Sequence, residues 1–392
     1  MQAAYDVIVL GAGAAGLMCA LSAGTRGRKV LLLEHLNETG AKISISGGGR
    51  CNFTNLRVAP EHFHSANPHF CRSALSRYTP RDFIAMVQRH SIAYHEKTQG
   101  QLFCDGSARQ IVAMLLRECA ASRVDLRVGH RITDVSRADR FRVNTDRGVF
   151  KAPALVIATG GPSIPKIGAT GYAYELGRHF GLGVIEARPA LVPLKMGGAT
   201  LGLCRSLAGV ALQAGVTYRG EHFRESVLFT HRGLSGPAIL QISSYWRGGP
   251  ITIDLLPEID ARSFLRERKR SRPRAELKTV LAEVMPSRLA EALAGGNDSC
   301  AGGIANQADT VLAALAGRLK QFTVEPAGSE GWDKAEVTAG GIDTSALSSR
   351  TMEARAIPGL YVIGEAVDVT GWLGGYNFQW AWSSGWCAGQ AI

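Results

Sequence analysis

The apolar positions of this chain fall into runs of two kinds. Near the start, Tyr5-Asp6-Val7-Ile8-Val9-Leu10 is an almost unbroken apolar stretch, too short for a helix, and predicts a buried strand. A Gly-rich turn and a helix over 13–25 follow, then Val30-Leu31-Leu32-Leu33, a second buried strand ending in Glu34. Strands without polar alternation suit a parallel sheet covered on both faces, so this reads as a βαβ unit. Farther along, 80–90 and 109–122 predict helices, the second with Ile111, Leu115 and Cys119 at helical spacing. Segments 124–128, 131–135, 141–145 and 149–152 predict strands, and Leu155-Val156-Ile157-Ala158 is another buried strand that ends in Thr159-Gly160-Gly161.

After Pro189 the pattern changes. Over 190–256 the strand-like runs are short and alternating, as in 210–218 and 251–255, an all-β signature. Residues 260–320 read as helices (275–284, 287–294 and 304–319), and 322–324 and 335–338 return to strands. Gly359-Leu360-Tyr361-Val362-Ile363-Gly364 matches the early sheet strands, and a helix over 377–390 closes the chain. The fold class expected is α/β: a discontinuous Rossmann-like nucleotide-binding domain, 1–189 and 336–392, with an inserted domain over 190–335.

The first turn carries the first chemistry. Gly11-Ala12-Gly13-Ala14-Ala15-Gly16 is GxGxxG between a strand and a helix. Gly11 permits the tight turn, Gly13 lets backbone approach a pyrophosphate, and Gly16 lets the helix pack on the strand. Phosphates then lie at the helix N-terminus, where free N–H groups favour anions. Glu34, 18 residues after Gly16, can accept hydrogen bonds from a ribose diol and would repel a 2′-phosphate. Three further features favour FAD over NAD in this site. Thr159-Gly160-Gly161 ends a mid-chain strand, Gly364-Glu365-Ala366-Val367-Asp368 follows the last strand, and Ser46-Gly47-Gly48-Gly49-Arg50-Cys51-Asn52 follows the second. Consecutive glycines with Arg and Asn suit backbone laid against a ring or a phosphate. Lys42 and Ile132 complete the set of expected cofactor contacts.

The stretch Lys42-Ile43-Ser44-Ile45-Ser46-Gly47-Gly48-Gly49-Arg50-Cys51-Asn52-Phe53-Thr54-Asn55 resembles the signature of the BaiN-type NAD(P)/FAD-dependent oxidoreductases, also called aminoacetone-oxidase-family FAD-binding enzymes. FTHRGLSGP at 229–237 and GLYVIGEAVDVTGWLGGYNFQ at 359–379 are similar to the same family, and the resemblance spans essentially the whole chain. It implies an FAD domain interrupted by a β-barrel (190–256 and 321–335) and a small helical subdomain (257–320). Gly168-Ala169-Thr170-Gly171-Tyr172 departs from the longer TGxDGY-like loop of relatives, which points to a subfamily.

Flavin does the redox chemistry in such enzymes, and the protein supplies orientation, electrostatics and a proton. His231 is the candidate catalytic acid, set against a structural role in a strand-to-helix turn at Ser235-Gly236-Pro237. Arg50 beside Cys51 would lower the thiol pKa, set against a buried small residue. Asn377 begins a helix whose N-terminus would face the flavin, near Trp372, Tyr376 and Trp380. His62, His64 and His69 are too irregular for a metal site, and none is expected.

Composition narrows the context. Of 392 residues 46% are hydrophobic, yet no run reaches the roughly 18 residues of a membrane span. The start of the chain lacks a basic n-region, so a signal peptide is not expected. Eight cysteines without a CxxC pair fit reduced thiols in a cytoplasm and argue against a disulfide-reductase mechanism. The net charge is +11, but 262–278 alone holds eight basic residues and two acids. That run reads either as a solvated Arg-rich helix face or as a patch for nucleic acid or an acidic partner. The leading expectation is an FAD-dependent oxidoreductase, its flavin reduced by transiently bound NADH or NADPH, acting on a small or medium organic substrate such as an enone. The alternatives are a flavin-dependent tRNA-modifying protein and a non-enzymatic redox-responsive FAD binder.

Overall fold

The computed structural model describes residues 5–295 and 302–392. The chain divides into two compact units, Met1–Arg188 with Val337–Ile392, and Pro189–Glu336.

The first unit is built on a five-stranded parallel sheet in the order Leu360–Val362, Ala154–Ile157, Val7–Leu10, Val30–Leu33, Asp125–Arg127. Every residue of Val7–Leu10, Val30–Leu33 and Ala154–Ile157 is buried, which is why these strands show no alternation. The helix Ala14–Thr25 is buried without interruption from Ala15 to Gly24. A helix apolar all round must be covered on two sides. The sheet covers one, and the closing helix Tyr376–Ala391 covers the other. Gly385 and Gly389, one turn apart, make that crossing possible: a Cβ on them would lie 2.5 Å from Ala15 O and 2.7 Å from Cys19 O.

A meander of Ile132–Arg137, Phe141–Thr145 and Gly148–Ala152 follows the edge strand. A small antiparallel sheet of Asn52–Asn55, Gln101–Cys104 and Tyr94–Glu96 is anchored by Phe53 and by Phe83 stacked on Trp382 at 4.3 Å. Between the second parallel strand and this sheet the chain makes a helix, Ala41–Gly49, that the pattern did not reveal because Ile43 is its one buried residue. Its last turn is broken: Ser46 is extended, and Gly47 and Gly48 take left-handed backbone. The strand expected over 335–338 is longer and begins later, at Val337–Ile342.

The second unit carries a seven-stranded antiparallel sheet. Its order is Phe322–Val324, Ile251–Asp254, Ala211–Tyr218, Glu221–Thr230, Gly233–Ser235, Leu194–Met196, Pro326–Ser329. The two edge strands are joined through Glu325 alone, so the sheet must curl until its edges approach each other. Two helices, Gly198–Ser206 and Pro237–Tyr245, lie within the stretch that alternation marks as all-β. The second starts where Gly236, at φ +89°, turns the strand and Pro237 supplies a preset first helical residue.

The helices Ala261–Ser271, Leu277–Leu281, Ser287–Ala294 and Asp309–Lys320 complete the unit. Among the described residues seven cysteines are free and buried, and Cys300 lies outside them. None of the described helices is long and apolar enough to cross a membrane, and no His, Cys, Asp or Glu group among those residues could hold a metal ion.

Candidate functional site

Three glycine-bearing turns leave the sheet at the carboxyl ends of neighbouring strands, where parallel α/β sheets bind ligands. Gly11–Gly16 follows Val7–Leu10, Thr159–Gly161 follows Ala154–Ile157, and Gly364–Asp368 follows Leu360–Val362. They touch one another. A Cβ on Gly11 would lie 2.7 Å from Ala158 O, one on Gly16 would lie 1.9 Å from Gly11 O, and one on Gly364 would lie 2.7 Å from the Ala15 Cβ. By contrast, a Cβ on Gly13 or Gly160 would meet nothing within 4 Å.

That open space lies over the start of the helix Ala14–Thr25. Gly13 caps it with extended backbone, no side chain caps it, and no acidic residue lies in its first turn. The first N–H groups, at Ala14, Ala15 and Gly16, therefore have no side-chain partner and are disposed to take an anion. Beside Gly160, the Thr159 hydroxyl is buried with no hydrogen-bond partner. An orphaned buried hydroxyl is costly unless a ligand satisfies it. Gly161 is closed in by Thr338 Oγ1 and Tyr174 Oη, 2.4 and 2.7 Å from where a Cβ would be. These residues fit a dinucleotide such as FAD.

Glu34 stands at the end of the second strand, buried, with Oε2 accepting from Ala12 N at 2.8 Å and Oε1 from Leu36 N at 3.0 Å. Burial raises its pKa, but the hydrogen bonds from His35, Leu36 and Ala12 outweigh burial and leave it below the ordinary value. The anion is thus held beside the Gly-rich turn. Ile132 heads the meander near this end, where His130 N donates to Glu34 O.

Lys42 and Glu365 are brought together by the fold. Lys42 Nζ lies 2.5 Å from Glu365 Oε2 and 2.6 Å from Ser163 Oγ. Ser163 Oγ donates to Glu365 Oε1 at 2.8 Å, and Thr338 N donates to the same oxygen at 2.9 Å. This knot ties together four distant stretches of chain. Ser163 was not among the residues singled out in the sequence. The only hint is its place two residues after Gly161.

The remaining candidates divide. Asp368 is buried and holds Ala66 N at 2.8 Å and Ser65 Oγ at 3.4 Å; burial pushes its carboxyl up. Asn377 clasps Gly371, its Oδ1 accepting from Gly371 N and its Nδ2 donating to Gly371 O, both at 2.8 Å. Both side chains brace the loop where Thr370–Gly371 pairs with Phe63–His64. His62 packs there between Trp372 and Tyr376, at 4.7 and 4.8 Å between ring centres. Trp380 is core, its Nε1 donating to Gly364 O at 2.9 Å.

Gly47 packs against Phe103, while Gly48 and Gly49 face open space and Arg50 is exposed. Asn52 begins the next strand. Of the two readings of Cys51, the buried small residue is the one the structure shows: Cys51 is fully buried at φ +48°, and burial pushes the thiol far up rather than Arg50 lowering it. In the second unit, His231 is exposed at the tip of the hairpin between Glu221–Thr230 and Gly233–Ser235. That tip is stiffened by Thr230 Oγ1, which accepts from Arg232 N and Gly233 N, and by an Arg232–Glu330 pair at 3.3 Å.

The model of the family described as "HI0933-like protein Rossmann domain" matches residues 5–391. A protein of Escherichia coli (strain K12) named ribosomal RNA dihydrouridine synthase is 50% identical over 391 residues, 99% of this chain and 98% of that one. A 3-dehydro-bile acid delta(4,6)-reductase of Clostridium scindens is 29% identical, covering 98% of each chain. Among solved structures, a 3-ketosteroid-delta4-(5alpha)-dehydrogenase from Rhodococcus jostii RHA1 matches with a TM-score of 0.51 at 12% identity. That match covers 99% of this chain and 97% of that one, and is a likeness of fold.

Proposed function

The chain belongs to the HI0933-like Rossmann family of FAD-type oxidoreductases, and from that premise we propose that it binds FAD and reduces the C5–C6 double bond of a uridine in ribosomal RNA, with NADH or NADPH as electron source. The observation that carries the cofactor is the open cradle at Gly13 and Gly160, over an uncapped helix start and an unpartnered Thr159 hydroxyl. The 50% identical relative's name supports the substrate. Ribosomal RNA takes the place that the sequence assigned first to a small organic molecule and second to tRNA.

Bound FAD, once reduced, supplies the hydride. The chain's own residues hold and orient. Backbone N–H groups of Gly13, Ala14, Ala15 and Gly16 take the pyrophosphate, and Glu34 accepts from the adenosine ribose. Thr159, Gly160, Gly161, Gly364 and Glu365 would line the middle of the dinucleotide, with Lys42 fixed by Glu365. Segment 46–52 and the first turn of the helix Tyr376–Ala391, which contains Asn377, would flank the ring system. The uracil carbon next to the C4 carbonyl requires a proton after hydride addition at the other alkene carbon, and the candidate donor is the exposed His231 imidazole, on the strength of its sequence motif alone.

The test uses in-vitro transcribed ribosomal RNA with the flavin-loaded protein and each nicotinamide. Expected are bleaching of the flavin by at least one nicotinamide and a mass gain of two hydrogens in a uridine nucleotide. H231Q is expected to lower kcat with RNA KM unchanged; full activity of that variant would dismiss His231. Unmodified RNA together with a reduced enone would favour a second reading, a small-molecule enone reductase. The bile-acid reductase relative motivates that reading.

A further inference from the structure

We propose that the Arg-rich helix Ala261–Ser271, with the turn that follows it, is the surface on which the phosphate backbone of the RNA docks; this rests on the reading that ribosomal RNA is the substrate. The helix is anchored by Ala261, Phe264 and Leu265, all buried, and is capped by Asp260, whose Oδ1 accepts from Ser263 N at 2.7 Å. Its cations are sorted by the fold into two sets.

One set is committed within the protein. Arg268 binds Glu283 at 2.6 Å and Glu267 at 2.7 Å, and lies over the Phe264 ring. Lys269 binds Asp309 at 2.8 Å and Gln307 O at 2.6 Å. Arg272 binds Glu283, and Lys278 binds Glu276 at 2.9 Å.

The other set is Arg262, Arg266, Arg270 and Arg274. All four are exposed, and among the described residues no carboxylate forms an ion pair with them. Asp309 feels Arg266 and Arg270 at longer range, but its own hydrogen bond goes to Lys269. Arg262, Arg266 and Arg270 are four residues apart, so they share one helix face in a row about 12 Å long at 1.5 Å per residue. Like charges at that spacing repel and give the helix nothing. Guanidinium groups bind phosphate oxygens as planar forks, so such a row suits a polyanionic backbone. The helix has one aromatic residue, Phe264, and it is buried, so there is no platform for stacking bases. The contact is therefore to phosphate and is indifferent to base sequence.

Two variants test this, one with all four arginines changed to Gln and one with all four changed to Lys. Equilibrium binding of an in-vitro transcribed ribosomal RNA fragment is measured across a salt series, alongside dihydrouridine formation by the flavin-loaded protein. Each phosphate contact contributes about 0.7–0.9 to the slope of log K against log salt. The Gln variant is expected to lose about 3 from that slope, and the Lys variant to stay within about 1 of wild type. RNA KM is expected to rise at least about tenfold in the Gln variant with kcat unchanged. Should the Gln variant fold poorly, R266E/R270E asks the same question with two changes. An unchanged slope and KM in a variant that still forms dihydrouridine would overturn the docking surface and leave an acidic protein as the partner of this face. A wild-type protein that forms no dihydrouridine would instead overturn the substrate reading.

Discussion

Gly13 and Gly16 are three residues apart in one turn, and the structure assigns them opposite sensitivities. In Gly16→Ala the new Cβ would lie 1.9 Å from Gly11 O, against about 3.4 Å for an ordinary carbon–oxygen contact. The helix must withdraw from the strand by more than an ångström, and with it the buried stretch Ala15 to Gly24. Overpacking against fixed backbone places the cost at the upper end of the usual range, about 3 kcal/mol. At about 2–4 °C per kcal/mol, the Tm falls by roughly 6–12 °C. In Gly13→Ala the Cβ meets nothing within 4 Å and the backbone, at φ −81°, suits alanine. The loss of a glycine N-cap costs about 1 kcal/mol or less, and the Tm moves by no more than roughly 4 °C. The methyl group does occupy the cradle over the free N–H groups. Moving a pyrophosphate off them costs about 1–3 kcal/mol, or roughly 5- to 150-fold in Kd. FAD titration into deflavinated protein, followed by fluorescence quenching, and thermal melts of the same samples read both quantities. Gly13→Ala binding FAD as tightly as wild type, or Gly16→Ala melting with wild type, would refute these opposite sensitivities.

Replacing Glu365 by Gln leaves the Lys42 ammonium with neutral partners in a part-buried site, so the denaturant midpoint should fall by the equivalent of about 1–3 kcal/mol. The double variant K42M/E365Q should recover part of the loss, and strict additivity would refute the coupling. Iodoacetamide should label Cys51 only after unfolding, because burial raises the pKa of its thiol; rapid labelling of native protein would contradict this. The Glu34–His35 pair sets a pH window. Glu34 has a lowered pKa, so its contribution is present above the ordinary value of 4.5 and is lost as pH falls through the folded value. His35 has a raised pKa, chiefly from its bond to Glu34, so its contribution is present below 6.5 and is lost as pH rises through the folded value. E34Q should flatten both limbs of the stability profile, and a profile identical to wild type would count against the pair.

What the sequence shows and what it hides follow one physical division. The βαβ core is legible because burial on both faces leaves a composition signal in consecutive residues, as in Val7–Leu10 and Val30–Leu33. The knot of Lys42, Ser163 and Glu365 is not, because no local pattern says that three segments more than a hundred residues apart meet at one carboxylate. Asp368 and Asn377 were read toward the cofactor from their place after a strand and before a helix; in the fold the Asp368 carboxylate accepts from Ser65 and Ala66, some 300 residues upstream, and the Asn377 amide clasps Gly371 of its own loop. Cys51 was legible as a buried small residue, and the rival reading is lost because adjacency to Arg50 in sequence is not adjacency of side chains when one is buried and the other exposed. The helix Ala261–Ser271 was legible as an Arg-rich helix face because its buried residues, Ala261, Phe264 and Leu265, lie at helical spacing on one side.

The same division bears on the charge of that helix. Counted along the sequence, the run 262–278 carries eight cations and two acids. Counted in the fold, four of those cations are held by Glu267, Glu276, Glu283 and Asp309, two of which lie outside the run. An arginine held by a carboxylate needs no further partner to account for it. The other four form no ion pair among the described residues, Asp309 feeling Arg266 and Arg270 only at longer range, and three of them repel one another along one face of one helix. Four exposed arginines without acids are consistent with a surface whose counter-charge arrives with the substrate.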